Sequence, residues 1–329
     1  MNSNMFKSLD LESIISRVYP DSIIISYVQV QELWSGYGSI LRLFLKAAPV
    51  DSIIIKLIKL EKAENHPRGW NTDNSHSRKV KSYEVEKNWY ANYADLCFAS
   101  FRVPKCLLLS EVDGIQLIIL EDLDSSGFSE RKASLSYSDS KAVIKWLAHF
   151  HANFLNMKPE GLWEQGSYWH LATRKDEFDV MQESKLKNNA ALIDQALIRA
   201  KFQTLIHGDA KVANFCFSKD PEYVSAVDFQ YVGKGIGMID LAYFMGSCFN
   251  GEECACYKDE ILEYYFSEFN SAYFRKNGQE PDLEIEKEWR YLYPFAVADF
   301  ARFLYGWMPN HTKLNQYTSN ITESLLSKF

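Results

Sequence analysis

The sequence contains no apolar run that approaches the ~20 residues of a membrane-spanning helix. Its first residues, MNSNMFKSLDLESIISRV, lack the basic start and apolar core of a secretory signal. Internal repeats and low-complexity tracts are also absent from the sequence. These absences argue against a membrane partner and predict a cytoplasmic chain.

Cysteine and positive charge are both sparse. The six cysteines form no C-x-x-C pair and no Cys/His cluster at zinc spacing, so they predict buried free thiols in a reducing cytosol. Lysine and arginine number 36 against 43 acidic residues, and the net charge of −7 argues against a nucleic-acid partner held by general electrostatics. The remaining composition, 47% apolar over 329 residues, predicts one large globular domain or two lobes.

The stretch from 205 to 244 carries the polar residues that suggest a chemistry. It begins with two apolar residues and His207-Gly208-Asp209, and Asn214 follows five positions after the aspartate. A short apolar strand then leads to Asp228-Phe229-Gln230, and Asp240 lies in a helix-like run. Two carboxylates and an amide on loops beside buried strands are what phosphoryl transfer requires, because Mg²⁺ takes few protein ligands and prefers oxygen.

The order H-G-D-x-x-x-x-N, D-F-Q and D-L-A-Y-F resembles the aminoglycoside phosphotransferase and choline kinase superfamily. In detail it resembles the ecdysteroid-kinase-like, or choline/ethanolamine-kinase-like, members. Protein kinases carry H-R-D-x-x-x-x-N and D-F-G with the same spacing logic. The resemblance implies an α+β, two-lobed protein-kinase-like fold. We expect a small antiparallel-sheet lobe over residues 1–121, which binds the nucleotide, and a mainly helical lobe over 122–329, which binds the acceptor.

The resemblance also implies roles for the polar residues of the stretch, with ATP and Mg²⁺ as cofactors. Asp209 would orient or deprotonate the attacking hydroxyl, and Asn214 and Asp228 would hold Mg²⁺. Lys211 has the offset from Asp209 of a lysine in Ser/Thr protein kinases, and either contacts the transferring phosphate or forms a surface salt bridge. Asp240 is expected to be structural and to accept backbone N–H groups of the catalytic loop.

The resemblance implies a lysine that contacts the nucleotide phosphates and a glutamate that holds this lysine. Lys56 follows three isoleucines in SIIIKLIKL, as the lysine of V-A-I-K does, with Lys59 as the alternative. Glu86, in E-x-x-W-Y on a predicted helix over 79–96, would pair with Lys56, and Glu84 is its alternative. Such a pair holds a flexible lysine in place, so less entropy is lost when phosphate binds.

Two turns complete the implied nucleotide site. The first, S-G-Y-G-S with Gly36 and Gly38, would cover the phosphates, although without G-x-G-x-x-G it reads equally well as a plain hairpin turn. The second follows the strand IQLIILEDL, where main-chain atoms of Glu121 and Leu123 would bind the adenine edge. This strand is predicted to pair with the one before it through an Asp113-Gly114 turn.

The acceptor pocket is the least defined part of the resemblance. The family builds it from C-terminal helices, and the candidate walls, most of them also expected to be core, are Trp289, Tyr293, Asp299, Arg302, Phe303 and Trp307. A cationic acceptor would require aromatic faces plus an acid, whereas an apolar alcohol would require the aromatics alone.

The polar composition of residues 61–77 predicts a mobile surface loop, with His66 and His76 facing solvent.

We therefore expect an ATP- and Mg²⁺-dependent phosphotransferase acting on a hydroxyl of a small molecule: choline-like, aminoglycoside-like or steroid-like. The alternative is a catalytically silent, nucleotide-binding pseudokinase. A protein kinase is disfavoured because no A-P-E follows D-F-Q and D-L-A-Y-F comes too soon for an activation segment. The acceptor and the oligomeric state are left open by the sequence.

Overall fold

The structure is a computed structural model that describes residues 9–33, 36–60, 73–220 and 222–329. Its N-terminal region is a five-stranded antiparallel sheet in the order β1-β2-β3-β5-β4. The strands are β1 (Ile23–Glu32), β2 (Gly38–Lys46), β3 (Ser52–Lys59), β4 (Cys106–Val112) and β5 (Ile115–Glu121). Two helices, α1 (Leu11–Ser16) and α2 (Asp73–Asn92), belong to the same region.

Alternation of side chains across the sheet decides which residues of β3 face the rest of the molecule. Ile53, Ile55 and Leu57 belong to a core cluster on one side of the sheet, shared with α1. Lys56 therefore points to the opposite side, because successive residues of a strand face opposite ways. The predicted Asp113-Gly114 turn is present between β4 and β5, with φ of 51° and 74°, as a two-residue type I′ hairpin requires.

The C-terminal region is mainly helical. Its longer helices are α3 (Tyr137–Asn153), α6 (Ala190–Ile198), α7 (Gly237–Cys248), α8 (Gly251–Asn277), α9 (Leu283–Trp307) and α10 (Gln316–Leu326), and the two short ones are α4 (Lys175–Val180) and α5 (Lys185–Asn188). Four three-residue strands form two antiparallel pairs, β6 (Thr204–Ile206) with β9 (Gly233–Gly235) and β7 (Phe215–Phe217) with β8 (Val224–Ala226). These pairs hold the loops that carry Asp209 and Asp228.

This architecture confirms the predicted fold class: an antiparallel N-terminal sheet followed by a helical region. The predicted loop over 61–77 is wrong at its end, because α2 begins at Asp73 and includes His76. His66 and the rest of 61–72 lie outside the described residues.

The six cysteines are free thiols, but only Cys216 and Cys254 are buried, and Cys256 is exposed. The prediction that all six are buried was therefore wrong. Across the described residues, no helix is both long and apolar enough to cross a membrane.

Helix α9 contributes one wall of the site, and its position depends on a close approach at Gly306. A Cβ at Gly306 would lie 1.9 Å from the backbone oxygen of Glu177 on α4, so the two helices can approach only over a glycine. Gly246 on α7 offers a matched contrast, since its added Cβ would meet only the Lys313 side chain, at 3.9 Å.

We predict that Gly306→Ala destabilises the protein by about 1–3 kcal/mol, because helices α4 and α9 must separate. Gly246→Ala should be neutral or stabilising by about 0.5–1 kcal/mol, since alanine lowers the backbone entropy lost on folding. Chemical denaturation of both variants measures the difference. Equal stability of the two variants would contradict the close approach.

Candidate active site

One cavity of about 840 Å³ lies between the sheet and the helical region and is lined by both. Ten residues were predicted to take part in catalysis or to bind the nucleotide or the metal ion. Eight of them line this cavity: Lys56, Glu86, Glu121, Leu123, Asp209, Lys211, Asn214 and Asp228. Gly36 and Gly38 are not among its lining residues, whereas Tyr37 between them is. Residues scattered over more than 170 positions of the chain therefore converge on one space.

Lys56 and Glu86 form a buried ion pair on the sheet side of this cavity. The Lys56 Nζ donates to Glu86 Oε1 at 2.8 Å and to Oε2 at 2.6 Å, and both residues are at most 5% exposed. Burial raises the pKa of Glu86, and the Lys56 ammonium opposes that rise. The alternatives do not reach this position, because Lys59 does not line the cavity and Glu84 is an exposed residue near Lys81.

The loop that carries Asp209 is attached to helix α7 through one buried carboxylate. Asp240 Oδ2 accepts the backbone N–H of His207 at 2.6 Å, and its Oδ1 accepts that of Gly208 at 2.9 Å. His151 of α3 lies 3.2 Å from the same carboxylate. The expected structural role of Asp240 is confirmed.

Gly208 is required by both conformation and space. Its φ is 77°, in the region that disfavours side chains, and an added Cβ would lie 2.2 Å from the Tyr231 carbonyl oxygen. The neighbouring backbone of Tyr231 thus approaches the loop directly. The glycine of the H-G-D motif lets the loop that ends in Asp209 pack against the loop that follows Asp228.

The Asp209 carboxylate is bound on both oxygens. Tyr243 donates its hydroxyl to Oδ1 at 3.1 Å, while Lys211 Nζ at 2.8 Å and Asn214 Nδ2 at 3.0 Å donate to Oδ2. Burial raises the pKa of Tyr243, so it remains a donor. Although burial opposes it, Asp209 raises the pKa of Lys211, which keeps that lysine charged.

Asp228 has the features of a cation ligand. Its Oδ1 is buried and has no hydrogen-bond partner among the described residues, which is costly unless a cation or water satisfies it. Burial alone would raise the pKa of Asp228, but Lys56, Lys79 and Lys211 hold it below its usual value. Its φ of 69° is a conformation that aspartate tolerates better than most residues. Because Asn214 uses Nδ2 towards Asp209, its amide oxygen is the atom left for a cation. These residues fit a hard divalent ion.

The comparisons with known proteins agree with this geometry. The family model described as the ecdysteroid kinase-like family matches residues 70–161 and 165–276, which is more than half of the chain. The chain belongs to the ecdysteroid kinase-like family. This confirms the predicted resemblance to the ecdysteroid-kinase-like members. No curated protein sequence matches it.

Solved structures share the fold of this family member at low identity. A choline kinase from Cryptosporidium parvum Iowa II has a TM-score of 0.55 at 12% identity, over 97% of this chain and 95% of that one. An amicoumacin kinase, solved with AMP-PNP, Ca²⁺ and Ami, has 0.54 at 13%, over 100% and 95%. An aminoglycoside phosphotransferase, solved with ADP and hygromycin B, has 0.50 at 8%, over 97% and 98%. At these identities the likeness shows the kinase-like fold alone.

In this family member, helix α9 places only part of the expected acceptor wall on the cavity. Phe303 and Trp307 line it, together with Phe300, at helical spacing. The other four candidates are buried in α9 and do not line the cavity, as the expectation that most of the six belong to the core predicts: Trp289, Tyr293, Asp299 and Arg302. Arg302 donates to Asp299 at 3.0 Å, so that pair is internal to the core.

The main chain after β5 is partly used by the protein itself. The Glu121 N–H donates to the Lys105 carbonyl at 2.9 Å, and the Glu121 side chain contacts Arg102 and accepts the Lys105 N–H at 3.0 Å. The Leu123 carbonyl accepts the N–H of Phe128 at 2.8 Å. The binding of a nucleotide base by the main chain of Glu121 and Leu123 stays a prediction.

Several lining residues were not anticipated from the sequence. His76, expected to face solvent, contacts the Tyr37 hydroxyl through Nδ1 at 2.5 Å and lines the cavity. Lys79 donates to Gln230 Oε1 at 2.7 Å, and its position two helical turns before Glu86 was an available signal. Tyr243, one turn after Asp240, offered the same kind of signal. Lys313 lies in an irregular segment after α9, and nothing in the pattern pointed to it.

We predict that Asp240→Asn exposes the loop of His207 and Gly208 to exchange, because their N–H groups are accepted by separate oxygens and the amide replaces one of these oxygens with an NH₂ donor. Hydrogen exchange at the His207 and Gly208 amides, compared with global stability in the same sample, measures this effect. Asp299→Asn is the matched control, since it alters another buried acid that does not contact the loop. Selective loss of loop protection is expected only in Asp240→Asn, and equal protection in both variants would contradict the assignment.

Proposed function

We propose that this protein transfers the γ-phosphoryl group of ATP to a hydroxyl of a small molecule, with Mg²⁺ as cofactor. The observation that supports it most strongly is the convergence of Asp209, Asn214 and Asp228 on one cavity with the Lys56–Glu86 pair. The family and fold are those of small-molecule kinases. The proposal includes a boundary between lobes after Glu121, with nucleotide binding assigned to 1–121 and acceptor binding to 122–329.

In the proposed reaction, the acceptor oxygen bonds to the γ-phosphorus, the bond from that phosphorus to the bridging oxygen breaks, and ADP leaves. Asp209 accepts the hydroxyl proton and orients the oxygen, since Tyr243 and Asn214 hold its carboxylate in place. Lys211 offsets negative charge beside Asp209. A magnesium ion held by Asn214 and Asp228 would neutralise the phosphates and align them.

The nucleotide is expected to lie between the sheet and the catalytic loop. Lys56, held by Glu86, contacts its α/β phosphates, and the Glu121 carbonyl and Leu123 N–H bind its base. Gly36 and Gly38 permit the tight turn next to Tyr37 that covers the phosphates, since an added Cβ at Gly38 would lie 1.9 Å from the Leu57 carbonyl oxygen. The proposal also places the chain in the cytoplasm, where ATP is abundant and its six free cysteines stay reduced.

We predict that Asp209→Asn lowers kcat by about 10²–10⁴-fold, because the general base is lost while its shape is kept. ATP affinity should be nearly unchanged. The measurement is a screen of small-molecule alcohols by ADP release and product mass, followed by kcat for the best alcohol and calorimetric ATP binding. Wild-type kcat in the variant would disprove the role of Asp209. ATP binding without ADP release for any alcohol would favour the pseudokinase.

We predict that Asp228→Asn reduces Mg²⁺-dependent nucleotide affinity on the order of 10–100-fold, because one charged ligand becomes neutral. Asparagine is preferred to alanine here, since it tolerates the positive φ of this position. Calorimetric titration of ADP with Mg²⁺ and with EDTA measures the effect. If the Mg²⁺ dependence of the variant equalled that of the wild type, Asp228 would not be a ligand.

A further inference from the structure

Lys313 is a cavity-lining lysine that the proposed reaction does not use. It lies between α9 and α10, and its Nζ is 4.6 Å from the centre of the Tyr243 ring and 5.4 Å from that of Phe300. The same Tyr243 donates its hydroxyl to Asp209. A single aromatic ring therefore connects the Lys313 ammonium with the proposed catalytic carboxylate.

Among the residues that the structure describes, Lys313 takes part in no ion pair, and its ammonium lies over two aromatic faces. Asp209 attracts its charge from a distance, while Lys211 repels it. Burial lowers its pKa to about 8, and Asp209 only partly opposes that effect. A half-buried cation without a counter-ion is costly, so an anion brought by a ligand would be stabilised there.

The other charges at this end of the cavity are already paired or are also positive. Arg174 Nη1 donates to Glu177 at 2.8 Å, and Lys211 contacts Asp209. Arg78 donates to the Thr173 carbonyl at 2.8 Å, and this neutral acceptor does not offset the positive charge of Arg78. Of the described carboxylates that line the cavity, Glu86, Glu121, Asp122 and Asp209 are paired with a lysine or an arginine, and the remaining one, Asp228, is the proposed cation ligand. A choline-like or aminoglycoside-like ligand would meet net positive charge.

The rest of this end is aromatic. The rings that line it come from the segments before α4 and after Asp228 and from helices α7 and α9: Tyr168, Tyr231, Tyr243, Phe300, Phe303 and Trp307. Such faces favour flat or ring-containing apolar groups. Together with Lys313, they define a site for a ligand with an apolar body and one anionic end.

We propose that the acceptor is a ring-containing, apolar alcohol that carries an anionic group, such as a carboxylate, and that Lys313 binds this group. The inference rests on the proposed function, because it assigns the hydroxyl of the same molecule to Asp209. It makes Lys313 a specificity-determining residue for the acceptor rather than a contact to ATP.

The test uses three benzyl alcohols that differ only in the para substituent: carboxylate, carboxamide or trimethylammonium. Their affinities are measured by ligand-observed NMR on the full chain, without nucleotide and with ADP and Mg²⁺. The variants are Lys313→Met, the conservative Lys313→Arg, and Lys287→Met as an exposed lysine control on α9. Calorimetric affinity for ADP with Mg²⁺ is measured on each variant.

The wild type should bind the carboxylate probe about tenfold or more tightly than the trimethylammonium probe. Lys313→Met should abolish that preference and leave the carboxamide unchanged, whereas Lys313→Arg and Lys287→Met should keep it. A preference for the ammonium probe, an unchanged carboxylate preference in Lys313→Met, or no binding of any probe would overturn the proposal. A selective loss of ADP affinity in Lys313→Met would overturn it in favour of a phosphate contact. Because the nucleotide-free arm requires no turnover, failure of the proposed kinase reaction would be recognised separately.

The pH dependence of the carboxylate affinity provides a second readout. The groups that face Lys313 are Asp209, Lys211, His311, Cys248 and Cys254. Burial lowers the pKa of His311 and raises those of both thiols, and Asp209 raises that of Lys211, so Lys313 is the member of this set expected to lose charge near pH 8. Carboxylate affinity should therefore fall from pH 7 to 9 in the wild type and stay flat in Lys313→Met. An equal fall in Lys313→Met would contradict the proposal, because it would assign the titration to another group.

Discussion

The active-site geometry depends on one buried carboxylate. Asp240 accepts the two backbone N–H groups that precede Asp209, and it does so from the first turn of α7. His151 links this carboxylate to the Tyr265 hydroxyl of α8, at 3.2 Å and 2.7 Å. Unpaired buried N–H groups are costly, so the loop conformation is stabilised by the same contacts that hold three helices together. The loop that ends in the cavity-lining Asp209 is thereby held by the same buried contacts that stabilise the core.

Lysines are concentrated in the cavity, although the chain as a whole carries a net negative charge. The protein carries a net charge of −7, yet Lys56, Lys79 and Lys211 all act on Asp228 and hold its pKa down. Such a distribution suits a site for phosphates, since local charge decides binding while net charge governs solubility and long-range attraction. The positive character continues to Lys313, whose ammonium lies over the rings of Tyr243 and Phe300.

Most of the fold and the centre of the site could be predicted from the sequence because they reside in local patterns. The three isoleucines before Lys56, the Asp113-Gly114 turn and the spacing from Asp209 to Asn214 each need only a short window. Prediction stayed incomplete where a residue's role depends on which side of an element faces the cavity. Arg302 and Phe303 are neighbours on α9, but one binds Asp299 in the core and the other lines the site.

By itself, then, the sequence determined the family, the fold class and the strands and loops that present the polar residues, because short-range spacing and apolar periodicity encode them. Only the tertiary structure decided which lysine joins Glu86, how Asp209 is held and what surrounds the acceptor. Those outcomes depend on packing between segments far apart in the chain. Lys313, Tyr243 and Asp209 come together through the crossing of α7 with the segment after α9, and no local pattern records that crossing.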